Sequence, residues 1–243
     1  LGEGALGLLP LFRKGNPMAQ LTVGENVRHV ESDGRAVLLD LRSEAYFVLD
    51  PVATEMWGAV TAGQPREEAI RSLGERYDVE FERLAVDYDA FLRRCCEDGF
   101  LSETPSKEEA HPIAGKASRR FPTFRAWWSL FRTSRRLRRD GFARTYRSYA
   151  RIARPASSGN LEDALNAFAA AENFYALKRA PQDCLPRSLA LFRFLRNSGI
   201  PAQHRIGVRL FPFLAHAWVE VDGRVVHDDP SNPQRYATIA KIE

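Results

Sequence analysis

The chain contains no run of 18 or more apolar residues, which excludes a membrane-spanning helix of ordinary length. Cysteine is scarce, with three in 243 residues, and the neighbours Cys95 and Cys96 would sit about 100° apart around a helix axis. An odd count without ligand spacing is neither a disulfide framework nor a zinc set. No metal is therefore expected, and a reducing cytoplasm is the expected setting. Glycine-rich phosphate loops are missing as well, so no nucleotide site and no cofactor is expected. The residues before Met18 lack the basic stretch and apolar core of a secretory signal. They read as an upstream extension of a start at Met18 or as sequence foreign to it.

What is present is unevenly charged. The net charge is only +4, yet residues 18–101 carry 9 basic and 17 acidic side chains, and residues 116–154 carry 13 basic side chains against Asp140 alone. Such a break marks separate modules. The acidic first module is a poor match for phosphate backbones, which need a positive recognition face, so nucleic acid is not an expected partner.

Three short strands are predicted after Met18, at 26–30, 36–40 and 45–49, with Ser32-Asp33-Gly34 as the first turn. Asp50-Pro51 then opens a helix, the acid as N-cap and the proline at the first position. Two more helices follow, from Gln64 to near Tyr77 and from Glu80 to Glu97. From Ser102 to Lys116 periodicity is lost, with two prolines and mixed charge, which predicts a loose linker. The next segment interleaves arginines with Phe124, Trp127, Trp128, Leu130 and Phe131, a pattern suited to a helix that buries an aromatic stripe and shows its arginines to solvent.

Cys184 is the cysteine placed like a nucleophile. It lies where a turn, Pro181-Gln182-Asp183, runs into a helix predicted to reach Asn197. His216 follows near the start of the strand 215–221, and Asp228 ends a second strand, 224–228, across the turn Asp222-Gly223. A helix start and a nearby imidazolium both favour thiolate, and a carboxylate can hold the histidine's tautomer and orientation. Adjacent strand residues face opposite ways, so only one of Asp228 and Asp229 can face His216 if both lie in the strand. His204 reads as structural, and the tail to Glu243 reads as surface.

Cys184-Leu-Pro-Arg-Ser-Leu-Ala-Leu, Gly199-Ile200-Pro201, Arg205-Ile206-Gly207-Val208 and His216-Ala-Trp-Val-Glu-Val resemble the B proteins of lasso peptide biosynthesis, over roughly residues 120–243. Those are transglutaminase-like cysteine proteases that remove the leader of a ribosomally made precursor. Tyr46-Phe47-Val48-Leu49-Asp50 and Glu97-Asp98-Gly99-Phe100-Leu101 are similar to PqqD-like leader-recognition domains, which bind a leader as an added strand. The resemblance implies an α+β fusion: a winged-helix-like module of three strands and three helices (18–102), a linker (103–116) and a papain- or transglutaminase-like protease domain (117–243). It further implies Cys184 as nucleophile, His216 as base and Asp228 as orienter, with Gln182 as a side-chain oxyanion donor, and leader binding along Tyr46, Phe47, Val48 and Leu49. The implied partners are the precursor's leader segment and an asparagine-synthetase-like lasso cyclase. An acyl transferase and a non-catalytic precursor-delivery adaptor are the alternatives; transfer to an added amine would mark the first, and loss of cleavage on Cys184→Ala would exclude the second.

Overall fold

The computed structural model describes residues 21–102, 122–176 and 184–243. Its first unit holds β1 (Thr22–Val23), β2 (Val27–Ser32), β3 (Arg35–Asp40), β4 (Ala45–Val48), α1 (Pro51–Thr61), α2 (Arg66–Tyr77), α3 (Phe81–Glu97) and β5 (Leu101–Ser102). β2, β3 and β4 form an antiparallel sheet in that order, and β1 pairs with β5 to tie the ends of the unit together. The predicted α1 start holds: the Asp50 carboxylate accepts from the Ala53 N–H, with Pro51 in the first turn.

β3 is buried on both faces. Its neighbours alternate between faces, and each set enters a different core. Ala36 and Leu38 pack with Trp57, Ile70, Leu84 and Tyr88 under the three helices. Val37 and Leu39, with Leu41 just beyond the strand, join the core of the second unit instead. Val30 and Tyr46 lean on that same core, and Arg147 ion-pairs with Glu25 at the seam. Burying each such aliphatic side chain stabilises by about 1.5–3 kcal/mol. The loose connection expected from the Ser102–Lys116 composition is therefore corrected: whatever the linker does, the two units share a packed sheet. The linker itself lies outside the described residues.

The second unit comprises α4 (Pro122–Ala150), α5 (Leu161–Ala176), α6 (Cys184–Asn197), β6 (Ala202–Arg209), β7 (Leu214–Val221), β8 (Arg224–Val226), α7 (Asn232–Arg235) and β9 (Ala237–Ile242). Its antiparallel sheet has the order β8-β7-β6-β9. α6 packs between this sheet and α4, with Leu189, Ala190, Phe192 and Leu195 fully buried. α4 bends at Gly141, whose φ of 73° lies in the left-handed region that favours glycine.

Three expectations change here. The tail is not surface, because β9 pairs with β6 and buries Ile239, Ala240 and Ile242. The strand predicted to end at Asp228 stops at Val226. Of the predicted α4 stripe, Leu130 is buried and Trp127 packs against the same core, beside Ala126, Ser129 and Thr133, whereas Phe124 and Trp128 are exposed, Phe124 stacking on Trp127 and Trp128 on Phe131.

A shared core makes the halves interdependent. Co-expressed as separate chains, residues 21–102 and 117–243 should co-purify as a one-to-one complex, and Leu39→Ala should weaken that complex together with the stability of the intact chain, by about 2–5 kcal/mol for the latter. Halves that elute independently on size-exclusion chromatography would contradict the shared sheet.

Candidate active site

α6 begins at Cys184, so the thiol sits in the first helical turn, where backbone N–H groups have no intrahelical acceptor. It is half-buried and lies against the start of β7, with the backbone N–H groups of Ala217 and Leu185 directed at sulfur. Burial pushes the thiol above its ordinary value, and those N–H groups offset only part of the rise. The expected preference for thiolate at a helix start is thus outweighed. The sulfur therefore holds its proton more tightly than an exposed thiol does.

His216 precedes Ala217 on β7, and its Nε2 lies 3.0 Å from Asp228 Oδ2. A carboxylate accepts, so Nε2 carries the proton and Nδ1 is left as the proton acceptor. The ring forms a three-ring cluster with Trp218, nearly parallel at 6.3 Å, and Tyr236 at 5.7 Å, which also lie 6.2 Å from each other. Gly207, opposite His216 on β6, makes room for this stack: a Cβ there would come within 2.7 Å of both the Trp218 ring and Tyr236. Trp218 donates to Glu220, which also holds Arg205.

Asp228 reaches His216 from a turn and not from a strand. His227 has φ of 61°, and this left-handed residue swings Asp228 out of line with β8. Asp229 turns the other way, to the Ser231 N–H and hydroxyl and to Arg235. Of the two acids, Asp228 is the one beside His216. Gln182 lies outside the described residues, as does Asp183. His204 is fully buried, with Nε2 at 2.9 Å from Ser188 Oγ, and burial pulls it down to about 3, so it stays neutral.

One group was missed by the sequence reasoning. Glu172 on α5 holds both Arg187 of α6 and His227, whose Nε2 lies 2.7 Å from Glu172 Oε2. Burial alone would raise the Glu172 carboxyl, but the hydrogen bonds from His227 and Arg187 leave it below the usual carboxylate range. Arg187 also donates to the His227 carbonyl at 3.5 Å, and Phe168 meets the His227 ring edge to face. This anchor ties the first turn of α6 to the strained residue that aims Asp228. Among the described residues no cluster of three or more His, Cys, Asp or Glu could hold a metal.

Residues 127–241 match the model of the transglutaminase-like superfamily, and residues 35–101 match that of coenzyme PQQ synthesis protein D. The chain joins a PqqD domain to a transglutaminase-like domain. Cys184, His216 and Asp228 fall within the transglutaminase-like match, and Tyr46 to Leu49 within the PqqD match. A curated relative, the microcin J25-processing protein McjB of Escherichia coli, is 47% identical over 60 residues, which are 25% of this chain and 29% of that protein. Two solved structures are also similar: TbiB1 in complex with the TbiA(beta) leader peptide, at 26% identity, covering 35% of this chain and 99% of that one with a TM-score of 0.32; and a lasso peptide synthetase B1 complexed with its leader peptide, at 23% identity, covering 34% and 98% with a TM-score of 0.33. No helix of the described residues is long and apolar enough to cross a membrane.

The Glu172 anchor generates a test in any peptide-cleavage assay. Glu172→Gln keeps the shape and removes the charge that holds His227 and Arg187. Displacing Asp228 by about 1 Å would cost on the order of 10²-fold in turnover, with KM little changed and the melting temperature nearly retained. Unaltered kcat would show that the anchor is only structural.

Proposed function

We propose that this chain binds the leader of a ribosomally made lasso precursor through its PqqD domain and hydrolyses the leader–core peptide bond in its transglutaminase-like domain. The observation that carries the catalytic half is the hydrogen-bonded His216–Asp228 pair, with the Cys184 thiol lying against Ala217, the residue after His216. The proposed domain limits are 18–102 and 117–243, with 103–116 between them.

The chemistry proceeds in two stages. His216 Nδ1 takes the thiol proton as Cys184 sulfur bonds to the scissile carbonyl carbon, and the carbonyl oxygen becomes an oxyanion. The Cys184 N–H, in the first turn of α6, is the nearest backbone donor for that charge. Collapse breaks the C–N bond, and the imidazolium gives its proton to the departing amine of the core. The leader is then a thioester on Cys184. A water attacks it, His216 takes the water's proton, and the restored thiolate recovers one as the leader carboxylate leaves. Asp228 stabilises the imidazolium throughout without taking its proton.

For the binding half, β4 is an edge strand among the described residues, where it pairs with β3 alone. Phe47 and Val48 are exposed along it. An open edge offers backbone donors and acceptors to an incoming strand. The partial match to a microcin-processing protein supports the precursor-processing reading as a whole. An asparagine-synthetase-like lasso cyclase is the proposed recipient of the freed core, and the cytoplasm the proposed setting.

Cys184→Ala should abolish cleavage of the precursor encoded beside this chain, followed by mass spectrometry, while leaving its binding by fluorescence anisotropy within about threefold of wild type. Asp228→Asn should cost about 10²–10⁴-fold in turnover, because an orienter is lost and the nucleophile is kept. Full cleavage by the Cys184→Ala chain would refute the assignment, and accumulation of amine adducts in place of the free acid would point to acyl transfer.

A further inference from the structure

The tip of the β6–β7 hairpin crosses from the transglutaminase-like domain to the PqqD domain. Phe213 meets the Tyr46 ring edge on at 5.3 Å, and the Arg35 guanidinium lies 5.7 Å from the Phe211 ring centre. Phe211, Phe213 and Leu214 are nonetheless exposed, at 72%, 42% and 40%. Phe211 also has φ of 55°, an unfavourable conformation for a bulky residue that is maintained here on the surface. Strain held at an exposed aromatic points to function more than to packing.

The position of this tip relative to β4 decides what it can do. Phe47 faces Phe100 and the helical core, at 4.9 Å, whereas Tyr46 faces the second unit and the tip. A strand added to the open edge of β4 would alternate in the same way. One set of its side chains would lie with Phe47, and the other set would lie over Phe211, Phe213 and Leu214. The tip also leads to the thiol. His216 is two residues beyond Leu214, and Tyr46, whose phenol burial pushes up to about 12, is close enough to Cys184 that an ionised sulfur would add to that rise.

Resting on the leader-peptidase proposal, we infer that Tyr46, Phe211, Phe213 and Leu214 form an apolar shelf that recognises alternate side chains of an extended peptide. The peptide segment is the part of the leader between its docking strand and the scissile bond, and those alternate side chains are apolar. The shelf thereby sets which residues of the leader reach Cys184.

The test uses the full chain and the precursor encoded beside it. Phe211→Ser and Phe213→Ala together should lower kcat/KM for the precursor at least about tenfold, as loss of two apolar contacts predicts. Phe213→Leu should recover most of the loss from Phe213→Ala, since it restores apolar bulk. Replacing alternate apolar residues of the leader with serine, upstream of the cut, should harm the wild type but add little to the double variant. Iodoacetamide labelling of Cys184, read by mass spectrometry, checks that each variant retains its site, and the exposed Phe211→Ser alone keeps the test valid if the double variant folds poorly. Wild-type cleavage matched by equal cleavage in the variants overturns the inference alone. A wild-type chain that leaves the precursor uncut overturns the function it rests on as well.

Discussion

The arrangement depends on one strand being apolar on both faces. β3 supplies Leu38 to the helices of the PqqD domain and Val37 and Leu39 to the core of the transglutaminase-like domain. Without the transglutaminase-like domain, the Val37 and Leu39 face of that strand would lie open to water. The consequence reaches β4, which hydrogen-bonds to β3 and so inherits its position. The open edge proposed to take the leader is fixed relative to the thiol by core packing. Effective concentration at the scissile bond then follows from a fixed geometry in place of a flexible tether.

A second constraint operates inside the catalytic pair. Burial disfavours the Cys184 thiolate, so the proposed reaction depends on the placement of His216. That placement is built from several directions: Asp228 at Nε2, the Trp218 and Tyr236 rings around the imidazole, and the space left by Gly207. Behind Asp228 stands Glu172, which binds the residue just before it. In the proposed reaction the proton leaves only as the bond forms, so the thiol is not left reactive toward passing electrophiles.

Much of this was legible in the chain, and the rest was hidden for physical reasons. Asp50-Pro51 announces α1 because capping chemistry is local. The pairing of His216 with Asp228 follows from a tight turn at Asp222-Gly223 that brings residues 12 apart together. The two-faced burial of β3 also had a signal, Ala36-Val37-Leu38-Leu39, since a strand buried on both sides reads as a continuous apolar run. Its partner in the other domain has no mark in sequence. β9 likewise shows apolar residues at Ala237, Ile239 and Ala240, but a bulge in its pairing and its place at the chain's end disguised it. Glu172 was beyond reach, because its contact with His227 spans 55 residues and depends on how α5 and α6 pack.

A fixed distance between leader edge and thiol behaves as a ruler, which composition alone would not suggest. The most direct measurement inserts two residues into the precursor between its leader-binding segment and the scissile bond, and maps the cut by mass spectrometry alongside kcat/KM. The packed sheet predicts that cleavage at the original bond falls by at least about tenfold or that the cut moves two residues toward the leader, as misplacement of the reacting carbonyl demands. Cleavage at the original bond with undiminished kcat/KM would mean that the edge and the thiol are not held at a set distance, and the account would be wrong at its centre.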